Sequence, residues 1–553
     1  MVVLTIPKHQ LDALVGQKLA IEQLERALFD FGMELASHDE EAGTVTVELT
    51  AERIDLVSPQ GLARALSAYL GIKTGMPKWQ VKKSGVAVKV GKHLEARSRS
   101  VAAIVRGLKL TDELLFEIIA LQEKIHETYA RKRKKGAIGV YPLEHCTPPF
   151  TYAGEKPGEI RFVPLGESRE MTGAEILEEH PKGREYAHLL AGAKHYPVWR
   201  DAKGEVMSVP PIINSAKTGK VTAATTDVFI EVSGPRIGPL KEILNVLVTA
   251  FADMGGKIES VTMQYDDLGS FESPDLSAVR RDVSLRDISR LLGIAPSPAE
   301  IVTLLGRMLY DVVEQDEKHV VVEAPATRAD LWHEVDVIDD IARAYGFNAI
   351  PATFPNVSTV ARTLPFSDLR EKASELLVGA GLLESWTFAL TNEETQYGRM
   401  SAPAHDPVRL ANSADSGTNM VRTWLLPELL KSLAHNRSKT YPQRLFECGF
   451  VVVSDSREDV RSRNELHLAV VIAENGVTFT HARQALDSVL GPLGFEAQIK
   501  PVTHPSFLAG RAGDVFVNGE KLGTIGEISP AVLSAWGLLV PVAAFEIVLE
   551  KLL

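Results

Sequence analysis

The sequence predicts a mixed α+β chain of several domains, and three observations carry that expectation. At 553 residues it is long enough for roughly three to five separately cored domains. Strictly alternating runs, such as Thr44–Thr50 and Asp227–Gly234, read as short half-buried strands. Other segments carry apolar residues at helical spacing, opened by Ser-Pro steps and closed by glycines. This punctuation divides the chain into an N-terminal α/β domain (1–82), a second domain (83–275), a small helical, helix-turn-helix-like domain (276–355) and a C-terminal domain (356–553).

In the first domain the Thr44–Thr50 strand precedes a helix that the residues announce themselves. Ser58 is expected at the N-cap, Pro59 at the first helical position, and Leu62 and Leu66 on the buried stripe. The second domain should open with a long helix from Thr111 to about Lys134, with apolar Leu114, Leu115, Ile118, Ile119 and Leu121. The run Arg131-Lys-Arg-Lys-Lys135 at its end admits three readings. It is a solvated helix C-terminus favourable to the dipole, a contact for RNA phosphates, or a nuclear localisation signal.

Further on, Tyr196–Val209 reads as two strands around a Lys-Gly turn, leading into Pro210-Pro211 and the polar pair Asn214 and Ser215. In the strand that follows, Val228, Ile230 and Val232 lie on one face and Phe229, Glu231 and Ser233 on the other. On spacing alone, Glu231 is expected to face solvent.

The third domain is expected to be helical. Ile288, Leu291 and Leu292 share a face ended by Gly293, and Ser297 and Pro298 start a second helix. Two short helices joined by a turn can mimic a DNA-reading motif, but no basic recognition face follows. A third helix carries Val337, Ile338, Ile341 and Ala344 on one face and stops at Gly346. Four acids, Asp330, Asp336, Asp339 and Asp340, stand at and just inside its start. Such a cluster can offer oxygen ligands to Mg2+, while acids near a helix N-terminus also favour the macrodipole and need no metal.

Composition describes an ordinary soluble protein, with 45% apolar and 24% charged residues. A net charge of −12 excludes a surface that binds nucleic acid throughout, so any RNA contact must be local or come from a partner. The two cysteines, Cys146 and Cys448, lack metal-ligand spacing and favour a reducing, cytoplasmic location. The N-terminus lacks the plan of a signal peptide, and the apolar run Gly537–Phe545 is too short to span a bilayer.

The string from Arg328 to Pro351, with an R-x-D, three further acids and R-x-Y-G-F-N-x-I-P, resembles the signature of the phenylalanyl-tRNA synthetase β-subunit family. An element near the start, carried by Arg53, Asp55, Leu56, Ser58, Gly61, Leu62, Ala63 and Arg64, is similar to another mark of that family. So are Ser208-Val-Pro-Pro-Ile-Ile-Asn214 and Asp227-Val-Phe-Ile-Glu-Val-Ser-Gly234, which resemble the archaeal and eukaryotic form's editing domain. The resemblance implies a Mg2+ site at Asp330, Asp336, Asp339 and Asp340, shared with an α subunit. For 83–275 it implies hydrolysis of tyrosine wrongly esterified to the tRNA for phenylalanine. A hydrophobic synthetic site cannot strongly reject an isostere that merely adds a hydroxyl, so a second pocket must select for it. Glu231 is the candidate acceptor for the phenol, Ser208 and Ser233 would line the pocket, and Asn214 would orient the ester or a water.

For 356–553 the resemblance implies a class II synthetase-like antiparallel sheet that is catalytically silent. Class II sites hold nucleotide phosphates with arginines, yet the glycine-rich stretch after Gly523 has none and Arg511 is the last in the chain. ATP would then be used by the complex on its α chain, in an α2β2 heterotetramer that binds the phenylalanine tRNA. The alternatives are a detached paralogue acting as a regulatory binding module, or a free-standing tRNA-editing hydrolase.

Overall fold

A computed structural model describes residues 2–415 and 417–553. It divides into two compact units, 1–354 and 355–553.

The first unit begins with a three-stranded antiparallel sheet, Val2–Pro7, Thr44–Leu49 and Glu34–Asp39, the second of these at its centre. The Pro59–Tyr69 helix starts as expected: the Ser58 side chain accepts from the Gly61 N–H, and Leu62 and Leu66 are buried. Gly61 is required there, because a Cβ would run into the Asp55 carbonyl.

The middle of the unit is a ten-stranded mixed sheet. Its order runs Ile213–Asn214, Val206–Val209, Tyr196–Arg200, Phe150–Glu155, Val81–Val90, Lys257–Tyr265, Arg99–Arg106, Val228–Gly234, Ala137–Pro142, with Gly269–Ser273 paired to Lys257–Tyr265. Val81–Val90 lies parallel to both of its neighbours, and the other pairings are antiparallel. One face takes the Ile237–Asp253 helix, whose Leu240, Ile243, Leu244 and Leu247 meet Val228, Ile230 and Val232 in one core. The other face carries an aromatic layer of Tyr141, Phe150, Tyr152, Trp199 and Phe229.

The last part of the unit departs from the helical expectation. Val279–Ser284, His319–Ala324 and Asp311–Gln315 form a three-stranded antiparallel sheet under the helices Leu285–Leu292, Pro298–Arg307 and Glu334–Tyr345. The β-branched run Val320-Val-Val322 favours the central strand. Gly293 and the Ser297 cap end and start helices as expected, although Leu291 is 44% exposed rather than buried.

The second unit is a seven-stranded sheet in the order Leu383–Glu384, Gln443–Ser454, Ser462–Ala473, Val542–Val548, Glu520–Ile528, Phe507–Val517, Gln498–Pro501. It is antiparallel except at the Leu383–Glu384 edge. The Pro365–Gly379 and Phe479–Leu490 helices share one buried core with the sheet, and Leu426–His435 and Pro530–Trp536 share another. Among the described residues no helix is long and apolar enough to cross a membrane.

Candidate functional sites

The sheet of 83–275 builds a well out of small residues. Glu231 is paired across to Ala102 on one side and Gly139 on the other, and Ser233 to Ser100 and Ala137. Two residues earlier, Phe229 is flanked by Ile104 and Tyr141. That drop in side-chain size leaves a recess next to the aromatic layer, which the Glu231 carboxyl and the Tyr141 hydroxyl fill over Gly139. At its mouth lies a cavity of about 170 Å3, walled by Glu123, His126, Arg133, Ser208, Asn214 and Glu231 among others.

Glu231 is 1% exposed, not solvent-facing, because strands distant in sequence close over its face of the sheet. The Tyr141 hydroxyl lies 2.7 Å from Ser208 Oγ and 3.3 Å from Glu231 Oε1, and its single proton serves one of them at a time. Glu231 Oε2, Ser233 Oγ and Trp199 Nε1 are buried without a hydrogen-bond partner. Burial pushes the Glu231 carboxyl up to about 8, with the Arg97 guanidinium and the neighbouring hydrogen-bonding groups pulling the other way. At neutral pH it is thus largely protonated, and it can either give or take a hydrogen bond at Oε2. Of these three residues only Glu231 lines the cavity, so its carboxyl is the orphaned group that a ligand's hydroxyl would satisfy there.

The remaining candidates divide. Asn214 is half-buried on the cavity wall, and Ser233 lies behind Glu231, fully buried and off the wall. Tyr141, Gly139 and His126 were not singled out in the sequence. Tyr141 and Gly139 were readable as same-face neighbours on one strand, but only pairing with Val228–Gly234 gives them meaning. His126 is no free base: its Nε2 accepts the Ile138 N–H at 2.9 Å and its Nδ1 lies 3.2 Å from Glu123. Burial also lowers its pKa, keeping it neutral.

The four acids line one cleft of about 540 Å3, with Arg53, Arg328 and Arg343 on the same walls. Arg328 takes Asp330 bidentately at 2.8 and 2.7 Å and reaches Asp340 at 2.8 Å. Asp340 also accepts the Tyr310 hydroxyl at 2.6 Å and is buried, on the opposite side of its helix from solvent. Asp336 accepts the Trp332 and His333 N–H groups, both at 2.7 Å, as a cap of the Glu334–Tyr345 helix. Asp339 pairs with Arg343 at 2.7 Å. Among the described residues no three His, Cys, Asp or Glu side chains are placed to share a metal ion. Guanidinium groups and backbone N–H groups already occupy this donor set, so it does not fit a cation held by this chain alone.

Three family models match the chain: "Phe-tRNA synthetase beta subunit B1 domain" over 1–72, "tRNA synthetase B5 domain" over 281–347 and "Phenylalanyl tRNA synthetase beta chain CLM domain" over 350–549. The phenylalanine–tRNA ligase β subunit of Pyrococcus furiosus is 41% identical over 551 residues, covering 99% of both chains. The chain belongs to the phenylalanine–tRNA ligase β-subunit family. A second β subunit, from Methanothrix thermoacetophila, is 36% identical over 545 residues and 98% of each chain. The crystal structure of an N-terminal fragment of the Pyrococcus horikoshii β subunit superposes with a TM-score of 0.60 at 40% identity, covering 62% of this chain and 99% of the fragment. Over that part of the chain the two share a mixed α+β fold.

Proposed function

We propose that this chain, as the β subunit of a phenylalanine–tRNA ligase, hydrolyses tyrosine wrongly attached to the phenylalanine tRNA, while aminoacylation with ATP takes place on a partner α subunit. The observation that carries the editing reading is the buried Glu231 carboxyl on the wall of a small cavity, with one oxygen held by Tyr141 and the other without a hydrogen-bond partner. A tyrosyl hydroxyl reaching Oε2 would gain a hydrogen bond in a site where its absence leaves a buried polar atom unpaired. That asymmetry gives large discrimination against phenylalanine.

Ser208 Oγ is held by Tyr141 and not by a histidine, so water is the simpler nucleophile. Water adds to the ester carbonyl, the bond to the ribose oxygen breaks, and free tyrosine and uncharged tRNA leave. Asn214, on the wall, would orient the ester or that water. Its backbone carbonyl accepts the Leu165 N–H at 2.9 Å, which ties the residue to another part of the cavity lining.

The partner is supported by exposed apolar side chains at the free sheet edge of the second unit, where Leu383, Trp386 and Phe388 are 68%, 85% and 87% exposed. We assign these to the α subunit, in an α2β2 complex. A Mg2+ ion at the acid cleft would require Arg343 to leave Asp339 and oxygen ligands from that second subunit, and no step here is routed through it. Coverage of 99% of a whole β subunit favours this reading over a detached paralogue or a lone hydrolase. The two buried free thiols suit a cytoplasmic location.

The test is deacylation by the αβ complex carrying Glu231→Ala or Glu231→Gln. Loss of tyrosyl-tRNA clearance in the Ala variant, with aminoacylation retained, supports the assignment. Unchanged clearance removes Glu231 from the site.

A further inference from the structure

The basic run 131–135 is not the end of a helix. The helix stops at Glu127, and its last turn holds Lys124 and His126, so the helix dipole does not account for the five cations that follow. Arg131, Lys132 and Arg133 have φ of 50°, 51° and 62°, three successive non-glycine residues in the left-handed region. Side chains disfavour that conformation at each position, so it persists only where the surroundings impose it.

The surroundings are visible. The Arg133 carbonyl accepts from Arg97 Nη1 at 3.0 Å, and the Arg133 guanidinium donates to the Pro211 and Ile212 carbonyls at 3.0 and 3.2 Å. It also meets Glu123 at 3.1 Å and stacks 4.4 Å above the Tyr186 ring. One arginine of the five is thus turned inward and locks the loop to the Pro210–Ile212 wall of the Glu231 cavity. Its neighbours Arg131, Lys132 and Lys134 are exposed, and among the described residues none of them makes an ion pair or side-chain hydrogen bond. In a chain of net charge −12, three unpaired cations on a loop anchored beside the cavity make a local positive patch that attracts an anion.

We propose that Arg131, Lys132 and Lys134 form a phosphate-binding platform for the single-stranded end of the RNA whose aminoacyl ester enters the cavity. The proposal rests on the editing reading and extends it to the partner's backbone. The ester is recognised at Glu231, and the phosphates just before it are held by a loop anchored to the same wall. Guanidinium and ammonium groups on a rigid loop suit phosphate oxygens, and they read charge without reading sequence.

The experiment uses the αβ complex with Arg131, Lys132 and Lys134 all changed to Gln and Arg133 left in place. Binding of an acceptor-stem RNA hairpin with a single-stranded 3′ tail is measured across a salt series, beside tyrosyl-tRNA hydrolysis. Neutralising three contacts to a single strand should lower the slope of log K against log salt by about 2. KM for hydrolysis should rise by tenfold or more at moderate salt, while kcat and aminoacylation hold. An unchanged slope and KM with hydrolysis intact overturns the proposal and leaves the editing reading standing. A reduced slope in a complex that clears no ester, even in wild type, supports the platform and sinks the editing reading. Arg133→Gln serves as a second variant: it should lower kcat as well, because it frees the cavity wall.

Discussion

Gly139→Ala is the most exacting single perturbation of the cavity floor. An added Cβ would stand 2.6 Å from Glu231 Oε1 and closer still to the Tyr141 hydroxyl. Tyr141, Glu231 and Ser208 are all at most 2% exposed, so none can swing into solvent to make room. Inserting a methyl group into such packing costs about 1–3 kcal/mol. Displacing the Tyr141 hydroxyl also separates it from Ser208 and Glu231, and leaving buried partners unpaired costs about 1–3 kcal/mol more. The variant should therefore lose about 2–6 kcal/mol between stability and site geometry. If half of that falls on the reaction, tyrosyl-tRNA hydrolysis drops by roughly 5- to 150-fold, since each 1.4 kcal/mol is tenfold in rate. Chemical denaturation of the complex would give the stability part, and single-turnover deacylation the catalytic part. Aminoacylation should be untouched. A variant with wild-type stability and wild-type clearance would refute the picture of a filled floor beneath Glu231.

Three further outcomes follow from the same geometry. Arg328→Ala should destabilise the first unit by about 3–5 kcal/mol in denaturant titration, because it strands Asp330 and buried Asp340 without their cation. Titration of the isolated chain with Mg2+, followed calorimetrically, should show no site at the acid cleft. Binding that vanishes in Asp339→Asn would contradict the occupied donor set. In the second unit, burial alone would lower the His467 pKa, but hydrogen bonds that its ring donates to Glu465 and Glu546, with their charges, raise it to about 9. A folded value above the unfolded value of about 6.5 means that the stabilisation is complete below that pH. It fades as pH rises through about 9, with a slope of up to about 1.4 kcal/mol per pH unit. His467→Gln should flatten thermal stability across that window.

What the sequence disclosed, and what it withheld, follow one physical division. Local chemistry was legible. The Ser58 and Ser297 caps, the left-handed Gly293 and the two-faced Val228–Gly234 strand all depend on neighbours a few residues away. Which face of that strand is buried was not legible, because both faces are buried. The layer of Phe150, Tyr152 and Trp199 that covers Glu231 comes from strands that no periodicity connects to it.

Lys and Arg are good helix formers, so propensity alone continues the helix from Thr111 through the basic run. The Arg133 contacts to Pro211 and Ile212, about eighty residues on, override that propensity. In the acid cluster Asp336 and Asp340 are four apart and share a helix face. Only the fold reveals that Arg328, two residues before Asp330, closes onto both Asp330 and Asp340. The strands of 279–324 escaped notice because Val279–Ser284 is short and two-thirds polar. For the second unit, the antiparallel sheet was expected from resemblance, not from residue pattern.

The measurement that bears most directly on the account is the ratio of tyrosyl- to phenylalanyl-tRNA hydrolysis by the wild-type αβ complex, both esters on the phenylalanine tRNA. Clearance of the tyrosyl ester should be roughly 10²-fold or more faster than that of the phenylalanyl ester, from one buried hydrogen bond made or left unmade at the Glu231 carboxyl. Equal rates for the two esters, or clearance of neither by a complex that still aminoacylates, would contradict it.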